Sequence, residues 1–315
     1  MPIKGVPGGQ TAGMQLISAN ENAFESYGLS ASLVAPICHV CAERYAQALN
    51  ALLRGEQTRL IIGPIAYVFW TREEGTFSPV SLLSSPEPAE VAELLKSPAT
   101  GRAGTNALDD AFFAAALSAS GGRVVVRTTI TSTVAEVKRN LARYFRLQRL
   151  VGASGEDWRP LGVFPLAASL VRDQRELRPR VVETLVRVAL GGGPLPRALI
   201  YEAVRRSRVD TKNRVTRPRI ALVKMVLASN LPHEQGVLME QLDPHSHDPA
   251  YLCGRLLAIL EAADDRVIPQ DVDHAIPQPV LGCHALMGSS FPSRLCPAGA
   301  ASGAIAFAFE QQVVA

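Results

Sequence analysis

The periodicity of the apolar residues changes once along this chain, and that change constrains the fold more than any other feature. In the first half, short apolar runs are bounded by turn residues. Leu60 to Ile62 and Ala66 to Trp70 flank Gly63-Pro64, and Phe112 to Leu117 and Arg123 to Ile130 flank Ser120-Gly121-Gly122. Runs of that length between glycines and prolines predict strands, the second pair forming a β-hairpin. Helices are interleaved with them. Ile37 to Arg54 places Cys41, Tyr45, Ala48, Leu49 and Leu52 at helical spacing, with Gly55 as its stop. Ser85-Pro86 predicts the start of a short helix to Lys96, and Thr133 with Glu136 a capping box that launches a helix to about Leu150.

Beyond Trp158 the strand-like runs stop. Apolar stripes at helical period recur in Phe164–Val171, Val181–Leu190, Leu195–Arg206, Pro218–Ser229 and Ala250–Ala262. The fold class expected is therefore α+β: a mixed α/β region over 1–157, then a helical bundle over 158–265. No fixed-period repeat runs through it, which excludes a solenoid. A third segment, 266–315, departs from both patterns. From Pro277 onward its only charged residues are Arg294 and Glu310, and Gly, Ala, Ser, Pro and Cys dominate.

Composition excludes several classes. With 47% hydrophobic and 19% charged residues the chain is globular rather than disordered. The opening Met1-Pro2-Ile3-Lys4-Gly5-Val6-Pro7-Gly8-Gly9 has no apolar core for a secretory signal, and no stretch is apolar for long enough to span a bilayer. Five cysteines at irregular spacing make no disulfide framework. A cytoplasmic protein is expected.

No stretch of the sequence carries a complete catalytic motif. Cys38-His39-Val40-Cys41 has the spacing of half a zinc site, but no second pair accompanies it, and Cys41 falls on the apolar stripe of the expected helix. Both thiols are expected to be small buried hydrophobes. Asp243-Pro244-His245-Ser246-His247-Asp248 gathers two imidazoles and two carboxylates in a proline-flanked loop, where solvated turn residues are the simpler reading. Gly8 to Gly13 has phosphate-loop glycine spacing, yet Met14-Gln15 replaces the lysine and hydroxyl that such a loop requires. Gly191-Gly192-Gly193 follows no strand and reads as a helix break.

Charge distribution is more informative than the net charge of +3. One expected helix carries Lys138, Arg139, Arg143, Arg146 and Arg149, interleaved with Leu141, Tyr144 and Phe145 that can face a core. A second basic stretch holds Arg205, Arg206, Arg208, Lys212, Arg214, Arg217, Arg219 and Lys224 against only Glu202 and Asp210, its centre expected to be a loop between two helices. Concentrated like charge repels itself unless a polyanion or an acidic surface neutralises it. Lys138, Arg139, Arg143, Arg146, Arg205, Arg206, Lys212, Arg214, Arg217 and Arg219 are thus the candidate nucleic-acid-binding residues.

Several stretches, in order, resemble one known family. They are Ile3-Lys4-Gly5-Val6, Gln10-Thr11-Ala12-Gly13, Ala23-Phe24-Glu25-Ser26-Tyr27-Gly28, Ala48-Leu49-Asn50-Ala51-Leu52-Leu53 and Val68-Phe69-Trp70. Gly122-Arg123-Val124-Val125-Val126-Arg127, Gly192-Gly193-Pro194-Leu195-Pro196, Val215-Thr216-Arg217-Pro218-Arg219, Leu242-Asp243-Pro244 and the run from Ala250 to Glu261 follow. Together they are similar to the central region of the large subunit of the type I-C CRISPR Cascade complex, the Csd family.

The resemblance implies a non-enzymatic subunit of an RNA-guided antiviral surveillance complex. Its implied partners are CRISPR RNA, target DNA, the other Cascade subunits and a separately recruited helicase-nuclease that does the cutting. Base pairing supplies sequence specificity in such complexes while protein cations hold the backbones and the displaced strand. No cofactor, metal or membrane is implied. Family members carry a substantial region before the Ile3-Lys4-Gly5 segment and a basic, aromatic continuation after Ala250–Glu261. The expectation is therefore an N-terminally truncated member whose tail is frameshifted near Pro277. Two readings stand beside it: a metal-dependent enzyme using the Asp243–Asp248 cluster, and a helical module whose basic loop meets an acidic protein.

Overall fold

Strand β2 (Ile65–Thr71) is buried along five successive residues, Ile65 to Phe69, and so must be covered on both faces. The computed structural model, which describes residues 2–17, 19, 22–25, 27–73, 77–100, 110–150, 159–210, 215–230, 245–247, 249 and 251–256, shows how. β2 lies inside a four-stranded antiparallel sheet of order β1-β2-β3-β4, with β1 at Arg59–Ile62, β3 at Ala111–Ser120 and β4 at Arg123–Thr133. Each strand pairs with its chain neighbour, Tyr67 opposite Leu60 and Ala116, and Phe113 opposite Thr131. Gly63 and Gly121 hold the positive φ of the two tight turns, at 58° each. A register shift between Ala116 and Leu117 marks a bulge in the β3–β4 pair.

One face of the sheet is closed by an arm rather than by helices alone. The backbones of Ile3 and Met14 exchange hydrogen bonds of 2.8 Å, closing a loop with two tight turns that contains the glycine-rich segment. Ile3, Val6 and Met14 then pack with Ala66, Val68, Ala115, Leu117, Val124 and Leu53. Helix α1 (His39–Leu52) holds the arm through one buried side chain. Asn50, 4% exposed, accepts the Lys4 N–H at 2.9 Å and donates to the Pro2 carbonyl at 3.0 Å. This pairing rotates the buried stripe of α1 from the one its apolar residues predict. Ala46 and Asn50 are buried, whereas Cys41 and Ala48 are exposed. The expectation of buried thiols is thus corrected: Cys38 and Cys41 both face solvent.

The opposite face carries the aromatic rows. Tyr67, Phe69 and Phe112 stack at centroid separations of 6.5 and 6.3 Å. Helices α4 (Val134–Gln148), α5 (Val163–Ala168) and α6 (Pro179–Gly191) belong to this unit: α4 packs on α6, α6 on β4, and α5 on α6. Arg127 of β4 fixes the α6 contact, donating to Ser118 Oγ at 2.7 Å and lying 3.6 Å from the Glu183 carboxylate. Asn140 of α4 donates to the Leu190 carbonyl at 2.8 Å, where α6 ends. The Gly191-Gly192-Gly193 run is indeed a helix stop, Gly192 capping α6 at φ 75° against Asn140.

Between the sheet halves, α2 (Val80–Ser84) precedes α3 (Pro88–Thr100). The helix expected to start at Ser85-Pro86 begins instead at Pro88, because residues before proline disfavour the α region and both Ser85 and Glu87 precede one, while α2 is an additional short helix before them.

The chain divides into two compact units, the first holding 1–148 and 159–196. In the second, α7 (Ala198–Val209) packs on α8 (Arg217–Asn230). α8 is buried almost all round, through Ile220, Ala221, Leu222, Met225, Val226, Ala228 and Ser229. Even Lys224 is buried, its amine donating to the Arg149 carbonyl. Residues 251–256 are helical, as expected. Asp243, Pro244 and Asp248 of the expected His cluster and all of the 266–315 tail lie outside the described residues. The class is α+β.

Replacing Asn50 by Ala leaves the Lys4 N–H and the Pro2 carbonyl unpaired beneath the arm. The variant is expected to lose about 3 kcal/mol of stability, read as a lower urea midpoint at unchanged slope.

Candidate nucleic-acid interface

The first basic segment forms helix α4, and its origin is local. Thr133 Oγ1 accepts the Glu136 N–H at 3.2 Å, which satisfies one orphan donor of the first turn. Only half of the expected capping box forms. The Glu136 carboxylate takes the Ser132 hydroxyl at 2.8 Å instead and lies 3.9 Å from the Arg139 guanidinium.

The helix then sorts its side chains by face. Val134, Val137, Leu141, Ala142, Tyr144, Phe145 and Gln148 are buried. Arg139, Arg143 and Arg146 follow one another at i, i+4 and i+7 on the other side, Arg139 and Arg146 exposed and Arg143 half-buried. Lys138, at the margin, lays its ammonium 5.2 Å from the centre of the Phe77 ring. All four expected residues of this segment thus share one helix, and three of them line its outer face.

The second basic segment is arranged differently from its expectation. Helix α7 runs to Val209, so Arg205, Arg206 and Arg208 stand on a helix and not in a loop. Its start is delayed to Ala198 because Pro194 and Pro196 exclude Leu195 from the helix. Arg217 and Arg219 open α8. Between them Asp210 caps α7 and carries the local electrostatics. Its carboxylate pairs with Arg206 on one oxygen and with Arg219 at 3.0 Å on the other.

Cations at the start of α8 oppose that helix's dipole, and a carboxylate between the two helix ends relieves this. Arg219 is 6% exposed and also lies 3.5 Å from Ser207 Oγ. Burial lowers its pKa from the usual arginine value, and the Asp210 pairing acts in the opposite direction. Burial also pushes Arg217 down to about 10, so it remains charged at neutral pH. The charge of Arg206 and Arg219 is therefore engaged inside the second unit, whereas Arg205 and Arg208 are exposed. Lys212 and Arg214 lie outside the described residues.

Exposure adds a residue that charge counting missed. Tyr201 is 76% exposed and stands one and two turns before Arg205 and Arg208, at i, i+4 and i+7 on one face. Leu199 and Ala203 are the buried residues of α7. The signal was present in that spacing, once the helix is extended past Arg206. A flat ring beside two guanidiniums can stack on a base while the cations meet phosphates.

Among the described residues no three His, Cys, Asp or Glu side chains come together as a metal site. No described helix is long and apolar enough to cross a membrane.

If Asp210 is replaced by Ala, two guanidiniums lose their shared counter-charge, one of them buried. A loss of about 3 kcal/mol is expected. Arg219→Met in the Asp210→Ala background is expected to recover part of it in a double-mutant cycle.

Comparison with known proteins agrees with the ordered resemblance in the sequence. No curated protein matches the chain significantly. A family model described as CRISPR-associated protein (Cas_Csd1) matches residues 1–278. That match takes in the sheet, the arm that closes it and both basic helices, and the chain belongs to the CRISPR-associated Csd1 family.

Proposed function

We propose that this chain is a non-catalytic subunit of a type I-C RNA-guided surveillance complex. In this reading it contacts the CRISPR RNA and target DNA through backbone phosphates and stabilises the displaced strand. Its other partners are the sibling Cascade subunits and a helicase-nuclease that cuts the target.

The observation that carries the reading is the outer face of α4. Three arginines are presented there opposite a face that is wholly buried. An evenly spaced row of guanidiniums on a rigid element neutralises phosphates without reading bases. That division suits a complex in which the guide supplies the sequence. The Tyr201, Arg205 and Arg208 face of α7 supports it with stacking as well as charge. Arg206 and Arg219 contribute by holding the α7–α8 joint.

Binding of the full chain to a short single strand is expected to weaken linearly with log salt. Converting Arg139, Arg143 and Arg146 to Gln should reduce the slope by about 2, since each single-strand phosphate contact accounts for roughly 0.7. Undetectable or salt-insensitive binding by folded protein would sink the proposal.

Tyr201→Ala tests the stacking component separately. It is expected to weaken single-strand binding by about 1–3 kcal/mol while leaving the salt slope unchanged. A fall in slope with no other loss would instead mean that the ring only orders the neighbouring arginines.

A further inference from the structure

The nucleic-acid surfaces leave one chemically reactive pair unused. Cys38 and Cys41 stand at the exposed start of α1, a fourteen-residue helix on the arm side of the sheet. Cys38 is the N-cap, with extended backbone at φ −68° and ψ 151°. Its sulfur accepts the Cys41 N–H at 3.3 Å, the position a serine or aspartate oxygen takes in ordinary caps. That bond brings the Cys41 backbone against the Cys38 sulfur, with both side chains exposed at the same helix end. No third metal-binding side chain joins them among the described residues.

We propose that Cys38 and Cys41 form a redox-active dithiol, which exchanges with low-molecular-weight disulfides to close a reversible Cys38–Cys41 disulfide. The geometry separates the two roles. Cys38 is solvent-exposed and its sulfur is held by donors that favour the thiolate, so it attacks first. Cys41, one turn into the helix, is the resolving thiol.

The ionisation of the pair runs the same way. The Cys41 thiol, and then the Cys41 backbone N–H, hold Cys38 below the ordinary thiol value, while the same pairing and the nearby Cys38 charge push Cys41 up. In the first step the Cys38 thiolate attacks one sulfur of oxidised glutathione. This forms a protein–glutathione mixed disulfide and releases one glutathione thiolate. In the second, Cys41 loses its proton to solvent and its sulfur attacks Cys38, forming the ring disulfide and releasing the second glutathione. The two protein thiols are oxidised by two electrons, and one glutathione disulfide is reduced to two thiols. Because Cys38 precedes the first helical residue, the ring closes across the cap without breaking hydrogen bonds further along the helix.

Exposed Cys253 serves as an internal reference on the same chain. With full-length protein at neutral pH, Cys38 is expected to alkylate with iodoacetamide about fivefold or more faster than Cys253, read by peptide mass spectrometry. Oxidised glutathione should then produce a Cys38–Cys41 disulfide in the native chain. It should produce a persistent glutathione adduct on Cys38 in Cys41→Ser. Cys38→Ser should leave Cys41 alkylating no faster than Cys253.

Equal alkylation of Cys38 and Cys253 overturns the proposal. So does oxidised glutathione that modifies Cys253 while leaving Cys38 and Cys41 as free thiols. A stoichiometric zinc ion lost on Cys38→Ser overturns it too, since metal-bound thiolates would then account for the pair. None of these outcomes depends on nucleic-acid binding, so the failure of one proposal is distinguishable from the failure of the other.

Discussion

Burial of β2 on both faces sets the requirements that the rest of the first unit meets. A strand apolar on two sides needs two covering layers. The aromatic side is covered by helices, which can present long apolar stripes to stacked rings. The small side, built from Ala66, Val68 and Ala115, is shallow, and a thin backbone arm with three apolar side chains seals it together with Leu49, Leu52 and Leu53 at the end of α1. The arm's own backbone bonds join Ile3 to Met14 and close its turns, but leave the Pro2 carbonyl and the Lys4 N–H to be met from outside. Its carbonyls and amides need partners, which is why a buried asparagine, usually a costly residue, stands at the point where arm and α1 meet.

That logic marks where the sequence was readable. The four strands and the glycine turn of the hairpin follow from short apolar runs, and the family assignment from motifs in order. The α1 stripe was misplaced because apolar spacing cannot register a buried Asn50, whose partners are 46 and 48 residues away. The later start of α3 was visible in two prolines, while α2 is too short to carry a period. Long-range partners such as Arg127 with Glu183 have no local signature at all.

The candidate interface shows the same limit in electrostatic form. Counting charges in a window treats every arginine alike, yet Asp210 engages two of them and leaves their neighbours facing water. On α7 helix spacing separates these classes, since exposed Arg205 and Arg208 share a face with Tyr201 and paired Arg206 falls between them, whereas Arg219 lies on α8. On α4 the spacing alone was sufficient, because the apolar residues there declare the buried face. On α7 it was not, because the helix end lay three residues beyond the expected one, past Arg208.

The order of the sheet has a consequence for how the chain is made. Each strand pairs with the one synthesised just before it, so the meander can zip up as it emerges from the ribosome. Its aromatic face must wait. β3 is complete at Ser120, but α6 ends roughly 70 residues later, an interval of about 4–14 s at ordinary translation rates. α4 is complete by Gln148, but until α6 follows, Tyr67 lacks the Glu183, Val186 and Arg187 side chains that surround it. The nascent chain thus keeps part of its aromatic face open for seconds, and a slower ribosome between β4 and α6 extends that exposure.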